Sequence, residues 1–499
     1  MSQNWSLFVI CAVAFVAGLD LTITNVAVPA IGADLDANTA DLQWIVDSYN
    51  IAVAGLLLLG AALGERFSRK WTFIAGLVLF TAGTLLAGFS ASVAPLIAAR
   101  SIQGVGAALL LSPALSLIAQ IYPPEKRASA VAWWATAGAL GIAIGPIAGG
   151  LLVDRLSWNW IFFVNVPVLF ASILLGIRFL PPGRGTVRAR LDIVGAVLSV
   201  LGFAFLLGGL IEGPRWSWSP IVLLAVGLGI ALVAAFVLWE LHQESPLFEV
   251  RVLAQREVTA AALALFTSYI SFTGILFLVP QHLEGVVRVD VMVTGVSMVP
   301  LALVFWIVSR RASWVGERIG TSKALVIGVS LLALGFAVLA ISSSTSGLIP
   351  VITGTCITAA GLGLTIPLGS VVIINGLPPE LTGSAAGTSM FSRFAGAAAG
   401  VALLGTALSA TYGVLLRPTL QSLGSAVPEG AAGSLQQTLA AAAQLQPADR
   451  ATLVQAADSA FAAASAIAYL TGLLGSVLTL IACLILLPLR TGRGNARRR

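Results

Sequence analysis

Long apolar stretches, separated by short polar ones, run along almost the whole chain. Fourteen of them reach about 20 residues or more, the length that an α-helix needs to cross the hydrocarbon core of a membrane. The pattern therefore predicts an all-α integral membrane protein with 14 transmembrane helices. The stretches lie near residues 7–31, 43–63, 72–92, 95–119, 129–153, 159–180, 192–212, 219–240, 258–283, 291–310, 322–342, 348–374, 383–410 and 464–488.

The composition supports the same interpretation. Of the 499 residues, 58% are hydrophobic and 10% are charged, whereas about a quarter of the residues in soluble domains are charged. Cys11, Cys356 and Cys483 all lie in predicted helices and lack the spacing of metal ligands. We expect no disulfide, no metal site and no cofactor.

The basic residues are distributed unevenly between the two ends of the predicted bundle. Of the 27 Lys and Arg residues, 20 lie at one set of alternate helix connections and five at the other. Because basic residues are retained in the cytoplasm during insertion, we predict that both termini are cytoplasmic. Arginine outnumbers lysine by 24 to 3, which suggests a GC-rich bacterium and hence its cytoplasmic membrane.

The net charge of +6 could also indicate nucleic-acid binding. The cations are spread over short loops and lack interleaved aromatic residues, which is not the pattern of a nucleic-acid surface. We expect these residues to set the orientation and to contact membrane lipids, with no nucleic-acid partner.

The chain repeats itself. The turn Pro123-Pro124-Glu125, followed by Ser129-Ala130, recurs as Pro378-Pro379-Glu380 followed by Ser384-Ala385. The helix before each turn has a glycine pair followed by a proline, and these residues are Gly104, Gly106 and Pro113 in the first copy and Gly361, Gly363 and Pro367 in the second. Two such copies predict parallel six-helix repeats with a central site between them.

The repeats predict a division of the chain into four parts. Residues 1–180 form an N-terminal six-helix repeat, and 181–257 form an extra helix pair with flanking cytoplasmic loops. Residues 258–488 form a C-terminal six-helix repeat that includes an extracytoplasmic segment at 412–463, and 489–499 form a basic cytoplasmic tail. Three roles are open for 412–463: a cap over the exit path, a partner contact, or an excursion with no role in transport, which we favour.

A GxxxGPxxGG pattern lies inside the fifth apolar stretch. Small residues let two membrane helices approach to backbone contact, and the proline removes one helical hydrogen bond. The alternative is static packing, which would account for the first two glycines alone. We favour a hinge at a moving helix interface, formed by Gly141, Gly145, Pro146, Gly149 and Gly150.

Several stretches resemble, in the same order, the motifs of one transporter family. The match begins with LDLTITNVAVP at 19–29 in the first helix and QWIVDSY at 43–49 in the second. The fourth helix carries RxxQGxG from Arg100 to Gly106, and the fifth carries the antiporter motif just described. The entry into helix six at 158–167 and the loop at 245–248 also match.

On these residues the chain is identified as a member of the fourteen-helix drug/proton antiporters of the major facilitator superfamily. The resemblance implies the major facilitator fold, with two six-helix parallel repeats plus two extra helices that rock around a central site. It also implies antiport of protons against small amphipathic substrates by a monomer that is not an enzyme.

The loop between the second and third helices departs from the family pattern GxLADRxGRR. Both glycines are replaced and Glu65 stands for the aspartate, but Arg66, Arg69 and Lys70 are kept. These charges could pair with neighbouring helix ends and form a cytoplasmic gate. Positive-inside topology explains them equally well, and both interpretations stay open.

Proton coupling needs a group that gains and loses a proton inside the membrane. Asp20 lies near the middle of the first stretch, and Arg100 lies at a depth where its side chain could reach that carboxylate. The alternative is a static buried salt bridge. Asp47 is a second candidate, although it lies one turn inside its helix and could be hydrated at the outer surface.

The predicted function is proton-coupled export of small amphipathic compounds, conferring drug or antibiotic resistance. The alternative is a dedicated exporter of one endogenous metabolite or lipid precursor. A channel would need a continuous polar pore, and a membrane enzyme would need His, Asp or Glu clustered at one depth. The substrate-binding residues are not identified by the sequence.

Overall fold

The structure is a computed structural model, and it describes residues 2–182, 192–243, 248–343, 347–377, 382–423, 427 and 430–488. Within these residues, 14 helical segments are long and apolar enough to cross a membrane, which confirms the predicted number. The predicted basic tail at 489–499, the turn at 378–380, most of the loop at 181–191 and the motif residues at 245–247 lie outside the described residues.

The segments begin and end close to the predicted limits, except that the tenth ends at Ile319, the thirteenth ends at Leu423 and the fourteenth begins at Pro447. The sixth and tenth crossings are each interrupted once, and a short helix lies between the last two crossings. The helices are α1 (Ser2–Asp34), α2 (Thr39–Arg66), α3 (Arg69–Gly88), α4 (Val93–Ile121), α5 (Pro124–Arg155), α6 (Trp160–Phe163), α7 (Val166–Phe179), α8 (Ile193–Glu212), α9 (Pro220–His242), α10 (Arg256–His282), α11 (Val291–Ser297), α12 (Val299–Ile319), α13 (Thr321–Ser342), α14 (Leu348–Asn375), α15 (Thr382–Leu423), α16 (Leu435–Ala442) and α17 (Pro447–Leu486).

The segment at 412–463 is largely helical, and its place outside the membrane stays a prediction. Most of it continues the two last membrane helices, because α15 extends to Leu423 and α17 begins at Pro447. Alanine-rich sequence favours helix, and the two extensions also pack together, with the ring centroids of Tyr412 and Phe461 5.8 Å apart. The Tyr412 hydroxyl lies 2.6 Å from that of Thr438 on α16, so this region is an ordered part of the C-terminal half.

The same helix pairings occur twice, as expected for a duplicated bundle. Contacts of α1 with α5, α2 with α4 and α3 with α4 recur as contacts of α10 with α15, α12 with α14 and α13 with α14. In the first copy a Cβ atom at Gly76 would lie 2.8 Å from the carbonyl oxygen of Gly106. In the second copy a Cβ atom at Gly328 would lie 3.2 Å from that of Gly361, so each pair allows backbone contact.

The two glycine pairs found in the sequence contact their neighbouring helices in opposite order. In α4 the first glycine, Gly104, faces α2 and the second, Gly106, faces α3. In α14 the first, Gly361, faces α13, and the second, Gly363, faces α12. Equivalent contacts are therefore made by glycines at different positions of the two motifs.

The extra helix pair packs against both halves. The Ser199 hydroxyl on α8 donates to the carbonyl oxygen of Gly55 on α2 at 3.1 Å. The Thr406 hydroxyl on α15 donates to the carbonyl oxygen of Leu210 on α8 at 3.0 Å. Hence α8 lies along the seam where α2 of the N-terminal half meets α15 of the C-terminal half.

The ends of α1 and α2 define the two sides of the bundle, called here the Asp34 side and the Arg66 side. Near the Asp34 side, the Gln43 amide on α2 donates to the carbonyl oxygens of Val401 and Ala402 on α15, at 3.1 and 3.2 Å. The same two helices also approach each other nearer the Arg66 side, at Leu58 and Gly387.

A second link between the halves, the 433–437 bridge, consists of residues 433 to 437 packed on the connection between α1 and α2. Both the amide and the hydroxyl of Thr39 donate to the carbonyl oxygen of Gly433, at 2.9 and 3.0 Å. The Ser434 hydroxyl donates to the carbonyl oxygen of Ala37 at 3.2 Å, and the Gln437 amide donates to that of Asp36 at 2.9 Å. The favoured interpretation of 412–463 as an uninvolved excursion does not account for these bonds.

Candidate proton-coupling site and helix interface

Asp20 and Arg100 form an ion pair inside the N-terminal half. Nη1 of Arg100 lies 2.8 Å from Oδ2 of Asp20, and the two side chains are 2% and 0% exposed. Gln103 joins the pair, because its amide nitrogen donates to Oδ1 of Asp20 at 3.0 Å and its amide oxygen accepts from Nη1 of Arg100 at 2.5 Å. Both carboxylate oxygens therefore have a donor, as a buried charge requires.

Arg100 has three further partners besides the carboxylate and is not held by Asp20 alone. Its Nε donates to the carbonyl oxygen of Ile45 at 3.3 Å, and its guanidinium lies 4.7 Å from the centroid of the Tyr49 ring. Together with the Gln103 oxygen, these groups would continue to stabilise the cation if Asp20 were neutral. The pair can therefore open without leaving Arg100 unpaired in an apolar interior.

Two members of this network were not singled out by the sequence. Tyr49 belongs to the stretch at 43–49 that carries the family resemblance, but no sequence signal connects it to Arg100. Thr84 on α3 accepts from the Gln103 amide at 3.1 Å and is fully buried. A threonine in an apolar helix has no distinctive signal, since its hydroxyl is usually satisfied within its own helix.

Asp47 does not belong to this network. Its side chain is 0% exposed, so the expectation that it could be hydrated at the outer surface is wrong. Its Oδ1 accepts from the Asn50 amide at 3.5 Å, and its Oδ2 has no hydrogen-bond donor among the described residues. A role for Asp47 as a second titrating group stays a prediction.

The first face of α5 packs on α1 of the same half. A Cβ atom at Gly141 would lie 2.1 Å from the carbonyl oxygen of Phe15, and one at Gly18 would lie 2.2 Å from that of Gly138. Gly145 and Gly149 continue this face, against Thr22 and Ile23 of α1. Real Cβ atoms do not approach backbone atoms as closely as at Gly141 and Gly18, so these two glycines are required for the observed separation of the helices.

The proline of the motif frees a carbonyl group that α1 then satisfies. Pro146 has no amide hydrogen, so the carbonyl oxygen of Ile142, four residues earlier, loses its helical donor. The Thr22 hydroxyl on α1 lies 3.2 Å from this oxygen and can donate to it. The cost of a proline inside α5 is thereby reduced by a neighbouring helix.

The second face of α5 meets the C-terminal half. A Cβ atom at Gly295 on α11 would lie 2.3 Å from the carbonyl oxygen of Pro146, and one at Gly150 would lie 3.0 Å from that of Val291. Of the motif residues, Gly141, Gly145 and Gly149 therefore pack within one half, whereas Pro146 and Gly150 contact the other. Any movement of the halves must change the second set of contacts.

The loop between α2 and α3 is folded back on the N-terminal half. Nζ of Lys70 donates to the carbonyl oxygens of Ile177 and Leu180, at 2.7 and 2.9 Å, at the C-terminal end of α7. Ser68 begins α3 with an extended backbone and caps it, so this turn does not need the family's glycine. A role of this loop as a gate stays a prediction.

The four charged residues of that loop differ in burial and in their contacts. Glu65 and Arg66 are exposed, and Arg69 is half-buried. Among the described residues, none of these three forms an ion pair. Lys70 donates hydrogen bonds to a helix end, as the gate hypothesis required, and this contact lies within one half.

Comparison with known proteins gives related transporters over most of the chain. The tetracenomycin C resistance and export protein of Streptomyces glaucescens is 32% identical over 390 residues, which cover 77% of this chain and 72% of that protein. The multidrug efflux pump LfrA of Mycolicibacterium smegmatis is 28% identical over 486 residues, which cover 97% of this chain and 96% of that protein.

The fold is similar to that of solved transporter structures. A bacterial homologue of the human lysosomal transporter Spinster, solved in an inward-facing and unoccupied conformation, superposes with a TM-score of 0.67 at 16% identity over 99% of both chains. The family model of the Major Facilitator Superfamily matches residues 10–192 and 181–401. With 14 crossings and two copies of one helix arrangement, this chain belongs to the Major Facilitator Superfamily, in its drug-efflux branch.

Proposed function

We propose that this protein exports small amphipathic compounds across a bacterial cytoplasmic membrane in exchange for protons. The buried ion pair of Asp20 and Arg100 carries the proposal, because both side chains are buried within helices of transmembrane length and Arg100 has substitute partners nearby. Relatives named for resistance to antibiotics and for drug efflux support the class of substrate. Fourteen apolar crossings support the location in a membrane.

In the proposed cycle, Asp20 binds a proton from the outside and releases it to the cytoplasm. When Asp20 is ionised, it holds α1 to α4 through Arg100 and Gln103. When it is protonated, the attraction to Arg100 is lost and Arg100 keeps Ile45 and Tyr49 as partners. Because α1 also contacts α5 and α10, a change at Asp20 reaches the interface between the halves.

The structure corresponds, in this proposal, to the state closed towards the outside. The predicted topology places the Asp34 side outside, and the Gln43 bonds, the 433–437 bridge and the contact of Pro146 with Gly295 all lie towards that side. Cargo would enter from the cytoplasmic side in this state. Separation of these contacts would release it outside.

Export and its energy source can be tested in one experiment. The chain is expressed in a bacterium that lacks its own efflux pumps, and growth is measured on dyes, quaternary amines and antibiotics. We expect resistance to several amphipathic compounds, and we expect a protonophore to abolish dye efflux. Efflux that continues at the same rate after the gradients of pH and voltage are collapsed would refute proton coupling, and resistance to a single compound would favour a dedicated exporter.

A reversible lock across the 433–437 bridge should stop transport. A Cβ atom at Gly433 would lie 3.0 Å from that of Asn38, close to the separation of about 3.5–4.5 Å in a disulfide. We expect Asn38→Cys combined with Gly433→Cys, in a chain without its native cysteines, to lose dye efflux on oxidation and regain it on reduction.

Each single cysteine variant is the control for that lock, because Asn38 also caps α2 through its bond to the Asp41 amide. The single variants should export equally well under both redox conditions. Full export by the oxidised double variant, with the disulfide verified by mass spectrometry, would show that the bridge does not separate during the cycle.

A further inference from the structure

A cavity of about 530 Å³ lies at the outer edge of the bundle, between α2 and the extra helices α8 and α9. It is separate from the ion pair of Asp20, and its size is within the range of pockets that hold drug-sized molecules. Its wall is mostly apolar and aromatic, with one carboxylate. The residues that matter most here are Trp44, Phe205, Gly208, Glu212, Trp216 and Ile221.

The carboxylate of Glu212 is fixed by two tryptophans. The indole nitrogen of Trp44 on α2 donates to Oε1 at 3.0 Å, and that of Trp216 donates to Oε2 at 2.9 Å. The Glu212 side chain is still 25% exposed, so the negative charge remains accessible at the cavity. The two neighbouring indoles can present aromatic faces to a bound cation.

The charged side chains beside the cavity carry a net negative charge. Asp41 and Glu212 share one cation, Arg215, whose guanidinium lies 3.5 and 3.8 Å from their carboxylates. Arg215 is 49% exposed, so the attraction at these distances is weakened by water. Two carboxylates against one guanidinium leave a net negative charge beside an apolar cavity, which complements a hydrophobic cation and repels a hydrophobic anion.

The backbone around the cavity is shaped to hold the tryptophans. A Cβ atom at Gly208 would lie 2.8 Å from the Trp44 ring, so the glycine lets that indole lie against α8. The turn between α8 and α9 contains two non-glycine residues with positive φ, 47° at Ser217 and 53° at Trp218. Such conformations are uncommon and occur where the surroundings impose them, here next to Trp216.

We propose that this cavity is a binding site for bulky organic monocations with an apolar body, reached from the membrane leaflet on the Asp34 side. The aromatic rings can bind the apolar body of a lipophilic cation, and the Glu212 carboxylate can bind its charge. An apolar groove alone would lack the second contact, and a surface acid alone would lack the first. The proposal does not depend on proton coupling at Asp20.

The test uses the full-length protein in nanodiscs of phosphatidylcholine, with tetraphenylphosphonium as the probe. A photoactivatable derivative of the probe should label a peptide of α8, α9 or the turn between them, as identified by mass spectrometry. Glu212→Gln should weaken binding at this position at least about tenfold, because the charge is lost while the side-chain volume is kept. Glu125→Gln, which changes an exposed acid at the start of α5, should bind as the unaltered protein does.

Three further measurements separate the possible results. Phe205→Ala should also weaken labelling of the cavity, which provides a second variant if Glu212→Gln folds poorly. Tetraphenylborate, an anion of the same shape, should not compete. Asp20→Asn should retain the labelling, so that failure of the proton-coupling proposal and failure of this one can be told apart.

The proposal is overturned by any of three results. The first is unchanged labelling in a folded Glu212→Gln protein. The second is equal competition by tetraphenylborate, which would mean that only apolar contact matters. The third is loss of labelling when phosphatidylethanolamine replaces phosphatidylcholine. The ammonium group of phosphatidylethanolamine, unlike that of phosphatidylcholine, can donate hydrogen bonds to Glu212, so this loss would show that a lipid headgroup occupies the cavity.

Discussion

Replacement of the buried carboxylate in Asp20→Asn is expected to abolish drug-induced proton movement in inverted membrane vesicles, while the protein still reaches the membrane. The asparagine has nearly the same shape and can keep a hydrogen bond with Gln103. It carries no charge, however, and it does not bind or release a proton near neutral pH. Removing one partner of a buried ion pair costs about 3–5 kcal/mol when the other is left alone. Here Arg100 keeps Ile45 and Tyr49, so we expect the fold to survive.

The control for this substitution is Asp154→Asn, which removes a carboxylate from an exposed pair with Arg155. Exposed pairs contribute little, so the control should couple drug and proton fluxes normally. Protein amount and melting temperature should be measured for both variants in detergent. If the folded Asp20→Asn protein moved protons in response to drug as the unaltered protein does, Asp20 would have no part in coupling and its pair with Arg100 would be structural.

The second large effect is expected at the contact between α5 and α11. In Gly295→Ala the new methyl group would lie 2.3 Å from the carbonyl oxygen of Pro146, in the opposite half of the protein. Extra atoms in a well-packed contact cost about 1–3 kcal/mol. Because the proposed cycle separates the halves at this contact, we expect them to relieve the overlap by moving apart on the Asp34 side, and export should fall at least about tenfold.

Separation of the halves can be read from a single cysteine at Ala402→Cys in a chain without its native cysteines. Ala402 is fully buried against Gln43 in the closed arrangement. A membrane-impermeant maleimide added outside should label it faster when Gly295→Ala is also present. Gly227→Ala on α9 is the control and should leave labelling and export unchanged, because among the described residues no atom beyond the adjoining turns of its own helix lies within 4 Å of the added methyl group. Unaltered labelling and export in Gly295→Ala would show that this close contact is not needed for closure.

The candidate site was predicted unevenly from the sequence. Asp20 and Arg100 were evident because a charge in an apolar helix is costly and therefore conspicuous. The GxxxGPxxGG pattern of α5 was evident from its composition. The sequence did not show that one face of this pattern packs on α1 and the other on α11. Gly295, Thr84 and Thr22 were not identified, because small and hydroxyl-bearing residues occur throughout membrane helices for many reasons. Asp47 was expected to be more exposed than it is. The position of a residue within its helix does not show whether neighbouring helices cover it.

By itself, the sequence determined the membrane character, the number of crossings and the residues whose charge inside the membrane requires a partner. These properties depend on local composition and on the length of an apolar run, which a bilayer of fixed thickness converts directly into helices. The tertiary structure decided which face of each helix meets which neighbour, including the use of α5 by both halves and the bonds of Thr39 to Gly433 across the chain. Lipid and protein interior are both apolar, so hydropathy cannot orient a membrane helix about its axis, and only the packing of all the helices together can.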